Sequence, residues 1–535
     1  MIEIDKQPEF DVIIIGSGIG GLTTAALLAK QNKRVLVLEQ HFTAGGFTHG
    51  FERKGGKFHW DVGLHYVGEM GEGSPYRSIF NYLTNGKLKW QQMPDLFDKF
   101  VYPDFTFAVN ANVDRFKADL IQQFPQEKAG IDRYFKDIQS AANWFIVHCL
   151  FELFPTFLQP LLNLIFRKFG NIATRTTQNY LDTNFQSVQL KAVLASQWGD
   201  YGLTPAQSCF GIHGVVVTHY FSGGWYPVGG GSAIAPPMIE TIERAGGKVI
   251  TQRRVTEIII ESGVAIGVKV ANAAHLVGVA SLRENRSPEI YYAPKIVSDA
   301  GAFNTYLKLI PASVSVPYRE SIQAFPKGES VFTLYLGLKE SAQKLGFKGE
   351  NYWIYDTYDH EVIGKNISID SHNSPQFAYL SFPSLKNSST QGHTAEIISS
   401  TNYDDFGQWQ GHTWRKRGSE YTSLKSQVAD SLIQFVESHY PGFQDLIEYA
   451  ELSTPLTVEH FNASDRGSIY GIPCIPERLA QPWIAAKTPI KNLYLTGTDT
   501  FSPGIVGAIM GGVKTTILVG GWGGVVKMIF KLINN

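Results

Sequence analysis

The stretch Asp11-Val12-Ile13-Ile14-Ile15-Gly16-Ser17-Gly18-Ile19-Gly20-Gly21 decides how the rest of the chain is read. Val12 to Ile15 are all β-branched and suit a strand buried on both faces. The second half is a G-x-G-x-x-G built on Gly16, Gly18 and Gly21. The first glycine permits a tight turn, the second lets the backbone approach a pyrophosphate, and the third lets helix and strand pack closely. Residues 22–31, rich in Ala and Leu, follow with helical spacing. The start of that helix would aim free N–H groups and a partial positive charge at phosphates. Val35-Leu36-Val37-Leu38 reads as a second buried strand, and it ends on Glu39, 18 residues after Gly21. A carboxylate at that point can accept hydrogen bonds from both ribose hydroxyls and repels a 2′-phosphate. Strand, glycine turn, helix, strand and acid in this order predict a dinucleotide site formed by Gly16, Ser17, Gly18, Gly20, Gly21, Glu39 and Gln40.

Two further glycine segments favour FAD over NAD. Gly45-Gly46 comes six residues past Glu39, where a nicotinamide cofactor needs no close backbone approach. Near the other end, Asn492-Leu493-Tyr494-Leu495-Thr496-Gly497-Thr498-Asp499 is another buried strand ending in a glycine turn, followed by Pro503-Gly504-Ile505-Val506-Gly507 at the head of a small-residue helix. Backbone-exposing segments at both ends of a chain suit one extended cofactor gripped from two sides. Gly497, Asp499, Gly504, Ile505 and Val506 are therefore expected beside its ribityl and ring, and the backbone at Val255 beside its adenine.

The chain has 535 residues, too many for one compact core, so intertwined domains are expected. Aromatic residues make up 13%, enough to line a long apolar tunnel, and Phe151 and Phe157 are candidates for its wall or gate. A net charge of −1 without a basic block argues against nucleic acid. Cys149, Cys209 and Cys474 are too far apart for a disulfide framework or a metal cluster, which points to a reduced, intracellular setting without a metal. No secretory signal is expected at the N-terminus. Residues 144–169 and 517–533 are apolar, but prolines or glycines interrupt them, so interfacial contact with a membrane and burial in the core both remain open.

The segments predict an α/β protein. A discontinuous Rossmann-type FAD-binding domain takes residues 1–70, 225–305 and 485–520. Residues 71–224 are expected as a helical cap, possible membrane-facing segment included, residues 306–484 as an interleaved α+β substrate domain, and residues 521–535 as an apolar tail.

Glu39-Gln40-His41, Ala44-Gly45-Gly46 and His49 match the segment that follows the Rossmann motif in a known family. So do Gly63, His65-Tyr66, Gly68, Tyr226-Pro227, Gly229-Gly230, Ser232, Arg244-Ala245-Gly246-Gly247 and Ser298-Asp299-Ala300-Gly301 in their order. On these motifs the chain resembles the flavin amine oxidase and phytoene desaturase superfamily, whose nucleotide domain is of the glutathione-reductase type, and most closely its retinol-saturase branch. Phe47-Thr48 departs from the mammalian members, which carry cysteines after the glycine pair.

The resemblance implies an FAD-dependent oxidoreductase acting on a long apolar polyene, saturating a C=C bond of a retinoid such as all-trans-retinol. A carotenoid cis–trans isomerase or a phytoene-type desaturase would use the same flavin, and a non-catalytic flavin-binding carrier is a third reading. Reduction needs a hydride on one carbon and a proton on the other. His65 and Tyr66 are the candidate proton donors or substrate-hydroxyl contacts, against the alternative that they only pack beside the ring. His59 and Asp61 read as strand-end polar residues. No second G-x-G-x-x-G follows a strand, so electrons come from a partner or from a nicotinamide cofactor that visits transiently.

Overall fold

The computed structural model describes residues 9–155, 157, 159–160, 170, 172–273, 288–365, 375–387 and 392–524. Its first sheet is parallel and five-stranded, with the strands in the order Leu493–Leu495, Ile296–Ser298, Val12–Ile15, Val35–Leu38 and Lys248–Ile250. Side chains alternate across a strand, and each face has its own cover. Val12, Ile14, Val35 and Val37 pack against Leu22, Ala25 and Ala26 of the helix Ile19–Ala29 and against Ile509 and Val513 of the helix Gly504–Gly520. Ile13, Ile15, Leu36 and Leu38 face Val255, Ile258, Val268 and Val270 of an antiparallel three-stranded sheet, Arg253–Glu261, Val264–Asn272 and Glu289–Tyr292. A strand covered on both faces has no solvent side, which is why these strands read as unbroken apolar runs.

A second, mostly antiparallel sheet has seven strands in the order Ile447–Ser453, Ser330–Leu338, His393–Thr401, Phe377–Ser381, Asn351–Tyr355, Leu96–Val101 and Thr106–Asn110. Tyr352, Ile354, Ala378 and Leu380 turn toward Leu432, Phe435 and Val436 of the helix Gly418–His439. Trp353, Tyr355, Phe377 and Tyr379 turn the other way, toward the helices Lys128–Cys149, Val188–Ala195 and Phe210–His219.

Residues 71–224 are therefore not a helical cap throughout. Leu96–Val101 and Thr106–Asn110 extend the second sheet, and Trp90–Gln92 pairs with Trp225–Pro227. The reason is local: Leu96-Phe97-Asp98-Lys99-Phe100-Val101 carries Phe97 and Phe100 into the core beside a buried Asp98, and a tight turn brings Phe107 back beside Phe100. Among the described residues no helix is long and apolar enough to cross a membrane. Residues 525–535 of the apolar tail, and most of residues 156–171, lie outside the described residues.

Candidate functional site

A cavity of about 1130 Å³ runs from the glycine turn of the first sheet to the aromatic face of the second. Gly16, Gly18 and Gly20 border one end, with Glu39, Gln40, Gly45, Gly46 and Val255. Asp499, Gly504, Ile505 and Val506 border it from the C-terminal segment. Ser17, Gly21 and Gly497 stand behind this lining. The Ser17 N–H and hydroxyl donate to Glu39 Oε2 at 2.8 and 2.6 Å, and the His41 N–H donates to Oε1 at 2.7 Å. A carboxylate has about four acceptor positions, so Glu39 is oriented by its neighbours and keeps one to offer. A side chain on Gly20 would overlap Gly497 Cα and stand 2.6 Å from Asp299 Oδ1. The two ends of the chain thus close on each other at the turn, and only glycine permits it.

Asp299 closes the same turn. It accepts from the Gly21 N–H, and its carboxyl lies against Gly18, Gly20 and Gly497. An ionised carboxylate there would oppose a pyrophosphate. Burial pushes Asp299 up to about 8, with Glu39 and Asp499 adding to the effect, so at neutral pH it is chiefly a neutral acid able to donate to an anion. The glycine cradle, the oriented Glu39 and a protonated Asp299 fit a dinucleotide. Asp499 lines the cavity, and its oxygens accept from Ala302 N at 2.7 Å and Ile472 N at 2.9 Å, so it also staples two backbone segments at the cavity edge.

The other end is lined by Trp198, Tyr220, Val331, Trp353, Phe377, Tyr379 and Ile398. His65 and Tyr66 line the cavity beside these aromatics, with His65 edge-on to Tyr379 at 5.5 Å. His65 Nδ1 lies 2.9 Å from Oε2 of the fully buried Glu396, an ion-pair distance without hydrogen-bond alignment. Tyr66 stacks on Tyr220 at 4.3 Å, and its hydroxyl lies 2.7 Å from Asp200 Oδ2 and 3.1 Å from Asp98 Oδ2. Asp98 also accepts from Asn351 Nδ2 and Gln197 Nε2, both at 3.0 Å. Lys386 Nζ donates to Asn351 Oδ1 at 2.5 Å, to Ser381 Oγ at 2.6 Å and to the His65 carbonyl at 2.9 Å. Burial lowers Lys386 to about 7 against the pull of Glu396 and Asp98, and burial raises Asp98 to about 6. Asp61 ends the strand Phe58–Asp61, as expected, and is buried there; it accepts from the Tyr226 hydroxyl and from Gly231 N at 2.9 Å, and burial raises it to about 7.

Phe157, expected at the tunnel wall, is 79% exposed, and neither it nor Phe151 lines the cavity. The aromatic lining comes instead from strands and helix ends elsewhere in the chain. The sequence reading missed Asp98, Asp200, Lys386 and Glu396. Two carried a signal, since Asp98 and Glu396 are single acids among apolar neighbours in strands. Asp200 and Lys386 carried none.

The fold as a whole is similar to that of solved oxidases. Cyclohexylamine oxidase from Brevibacterium oxydans has this fold, with a TM-score of 0.58 at 14% identity over 98% of this chain and 100% of that one. A family model described as an NAD(P)-binding Rossmann-like domain matches residues 14–83. The chain is 34% identical to the all-trans-retinol 13,14-reductase of Danio rerio over 95% of this chain and 85% of that protein. It is 27% identical to prolycopene isomerase 1 of an Oncidium hybrid cultivar, over 96% of this chain and 84% of that protein. The chain belongs to the all-trans-retinol 13,14-reductase family.

Proposed function

We propose that this protein is an FAD-dependent reductase that saturates a C=C bond of a conjugated polyene, with a retinoid such as all-trans-retinol as substrate. One observation carries the reading: the glycine-lined groove and the aromatic chamber are a single cavity. Its volume is about 1130 Å³.

Gly16, Gly18, Gly20 and Glu39 would hold the pyrophosphate and ribose, and Gly45, Gly46, Gly504 and Val506 would approach the rest of the cofactor. When bound in its reduced form, FAD supplies the hydride. The chain's own residues do the rest. Trp198, Tyr220, Trp353 and Phe377 present flat apolar faces that orient a polyene and exclude water. Tyr66 and His65 put polar groups beside this aromatic lining, where an alcohol or a reacting carbon can meet them.

The test is anaerobic incubation of the reduced holoenzyme with all-trans-retinol, followed by mass spectrometry. The expected product is heavier by two hydrogens. A polyene unchanged in mass but altered in double-bond geometry would instead favour the isomerase chemistry named in the Oncidium relative. Exposed Phe154 and Phe157 support peripheral contact with a membrane, the natural reservoir of such a substrate. Co-flotation with liposomes that is lost in Phe157→Ser is the expected result.

A further inference from the structure

We infer that Asp200 is the acid that delivers the proton to the substrate's double bond, with Tyr66 and Asp98 as its positioning residues. The inference rests on the reductase reading and deepens it.

The argument begins with proton counting. One tyrosine hydroxyl has one hydrogen, yet the Tyr66 oxygen lies within hydrogen-bond distance of a carboxylate oxygen on each of Asp98 and Asp200. Each of these two oxygen–oxygen contacts needs a hydrogen between its partners, and the tyrosine supplies one. The trio therefore carries one extra proton. Asp98 holds neutral donors on both oxygens, Asn351 on Oδ1 and Gln197 on Oδ2, and Asn351 is itself polarised by Lys386. Those contacts favour the charged form at Asp98. Asp200 has Tyr66 alone among the described residues. The extra proton belongs on Asp200, and burial together with the charge of Asp98 holds its carboxyl well above the usual range.

Asp200 is also where a donor should be. It lines the cavity, it is half-buried, and its neighbours there include Trp198, Gly199 and Tyr220. Glu329 is the other acid that burial raises on this wall, to about 7, but it has no hydrogen-bonded support comparable to Tyr66 and Asp98. In the step, the reductant gives a hydride to one alkene carbon and loses two electrons. The π pair then forms a C–H bond at the other carbon with the Asp200 proton. The Asp200 O–H bond breaks, and the new carboxylate is left facing the Tyr66 hydroxyl. The substrate gains two hydrogens and two electrons, and Asp200 regains its proton from solvent through the cavity.

The experiment compares wild type, Asp200→Asn, Asp200→Glu and Glu329→Gln as flavin-loaded holoenzymes. Infrared difference spectra in H2O and D2O should show a protonated-carboxyl band that is missing only in Asp200→Asn and shifted in Asp200→Glu. In single turnovers with retinol, Asp200→Asn should lose ~100-fold or more in saturation rate, the size expected for a general acid. Its reduced flavin should still be reoxidised by a small quinone at the wild-type rate, and Asp200→Glu should recover part of the loss. The assignment is overturned if wild type saturates retinol and Asp200→Asn does so within about threefold, or if the band and the loss follow Glu329→Gln. A wild type that binds flavin but leaves retinol intact overturns the reductase reading and this assignment together.

Discussion

The two ends of the cavity are built by opposite means. The cofactor end is made of backbone: glycines at 16, 18, 20, 45, 46 and 504, two parallel strands, and one carboxylate pinned by Ser17 and His41. The substrate end is made of side chains drawn from across the chain, with Tyr66, Asp98, Asp200, Asn351 and Lys386 meeting in one buried polar cluster. A backbone site tolerates no added atoms. A side-chain site tolerates changes of shape but not of charge.

The sharpest break of this contrast is Gly20→Ala. The added methyl, on the first turn of the helix Ile19–Ala29, overlaps Gly497 Cα and crowds Asp299, and both of these closely follow strands of the first sheet. We expect loss of flavin and of most stability, on the order of 4 kcal/mol or more, read as colourless protein with a collapsed melting transition. An equal added volume in the aromatic chamber should cost far less.

Lys386→Ala comes next and attacks the other end. It removes a buried cation that interacts with Asp98 and Glu396 and strips a donor from Asn351 and Ser381. Breaking a buried charge cluster from one side costs roughly 3–5 kcal/mol, so chemical denaturation should show a large loss. Flavin content under native conditions should stay stoichiometric. Loss of flavin in this variant would mean that the two ends are not separable.

This difference also explains what the sequence disclosed. The Rossmann half was legible because its geometry is contiguous: β-branched strand, G-x-G-x-x-G and acid follow one another within residues 12–39. Gly45-Gly46 and Gly504 were legible for the same reason. Asp200 sits in Trp198-Gly199-Asp200-Tyr201, a turn that nothing local marks as part of a site. It becomes functional only when the strand Leu96–Val101 and the loop holding Tyr66 meet it, contacts that depend on the register of the second sheet. His65-Tyr66 were singled out through a resemblance; of the groups beside them, Asp98 and Glu396 stood out only as single acids in strands. The helical reading of residues 71–224 failed for a related reason, since the strands there are short and their pairing partners lie in distant segments.

The pH dependence of stability is a smaller effect that joins the two ends. Asp61 at about 7, Asp98 at about 6 and Asp299 at about 8 are all raised by burial. Each keeps its proton in the folded state at pH values where the unfolded chain, near 4, has released it. The folded state then binds more protons than the unfolded one, so stability falls as pH rises. The slope is roughly 1 kcal/mol per pH unit for each group still holding its proton. Lys386, lowered to about 7, acts oppositely but only above that value, where the folded state has lost a proton that the unfolded chain retains. His49, His213 and His360, lowered by burial to about 4, 3 and 3, oppose the acids up to about pH 6.5, so the effect is read as a difference between two proteins. Thermal melts of the Asp61→Asn apoprotein should gain on those of wild type as pH rises from about 5 to 7.

The smallest expected effect, Asp299→Asn, asks whether a side chain at the backbone-built end has any say. Asp299 lies against the glycines that would face the pyrophosphate, and it accepts the Gly21 N–H. With its proton on, it can donate toward an anion. Above about 8 it becomes a carboxylate among groups arranged for phosphate, and its repulsion opposes the cofactor. Flavin release, followed by fluorescence on dilution, should thus be slow at neutral pH and accelerate through pH 8 in the wild type. An amide at this position keeps the shape, can still accept from Gly21, and has no proton to lose. Asp299→Asn should hold flavin about as well at neutral pH and show no acceleration above it. If the variant releases flavin faster than wild type at every pH, the carboxyl is holding the glycine turn in place rather than tuning its charge, and the backbone end depends on a side chain after all.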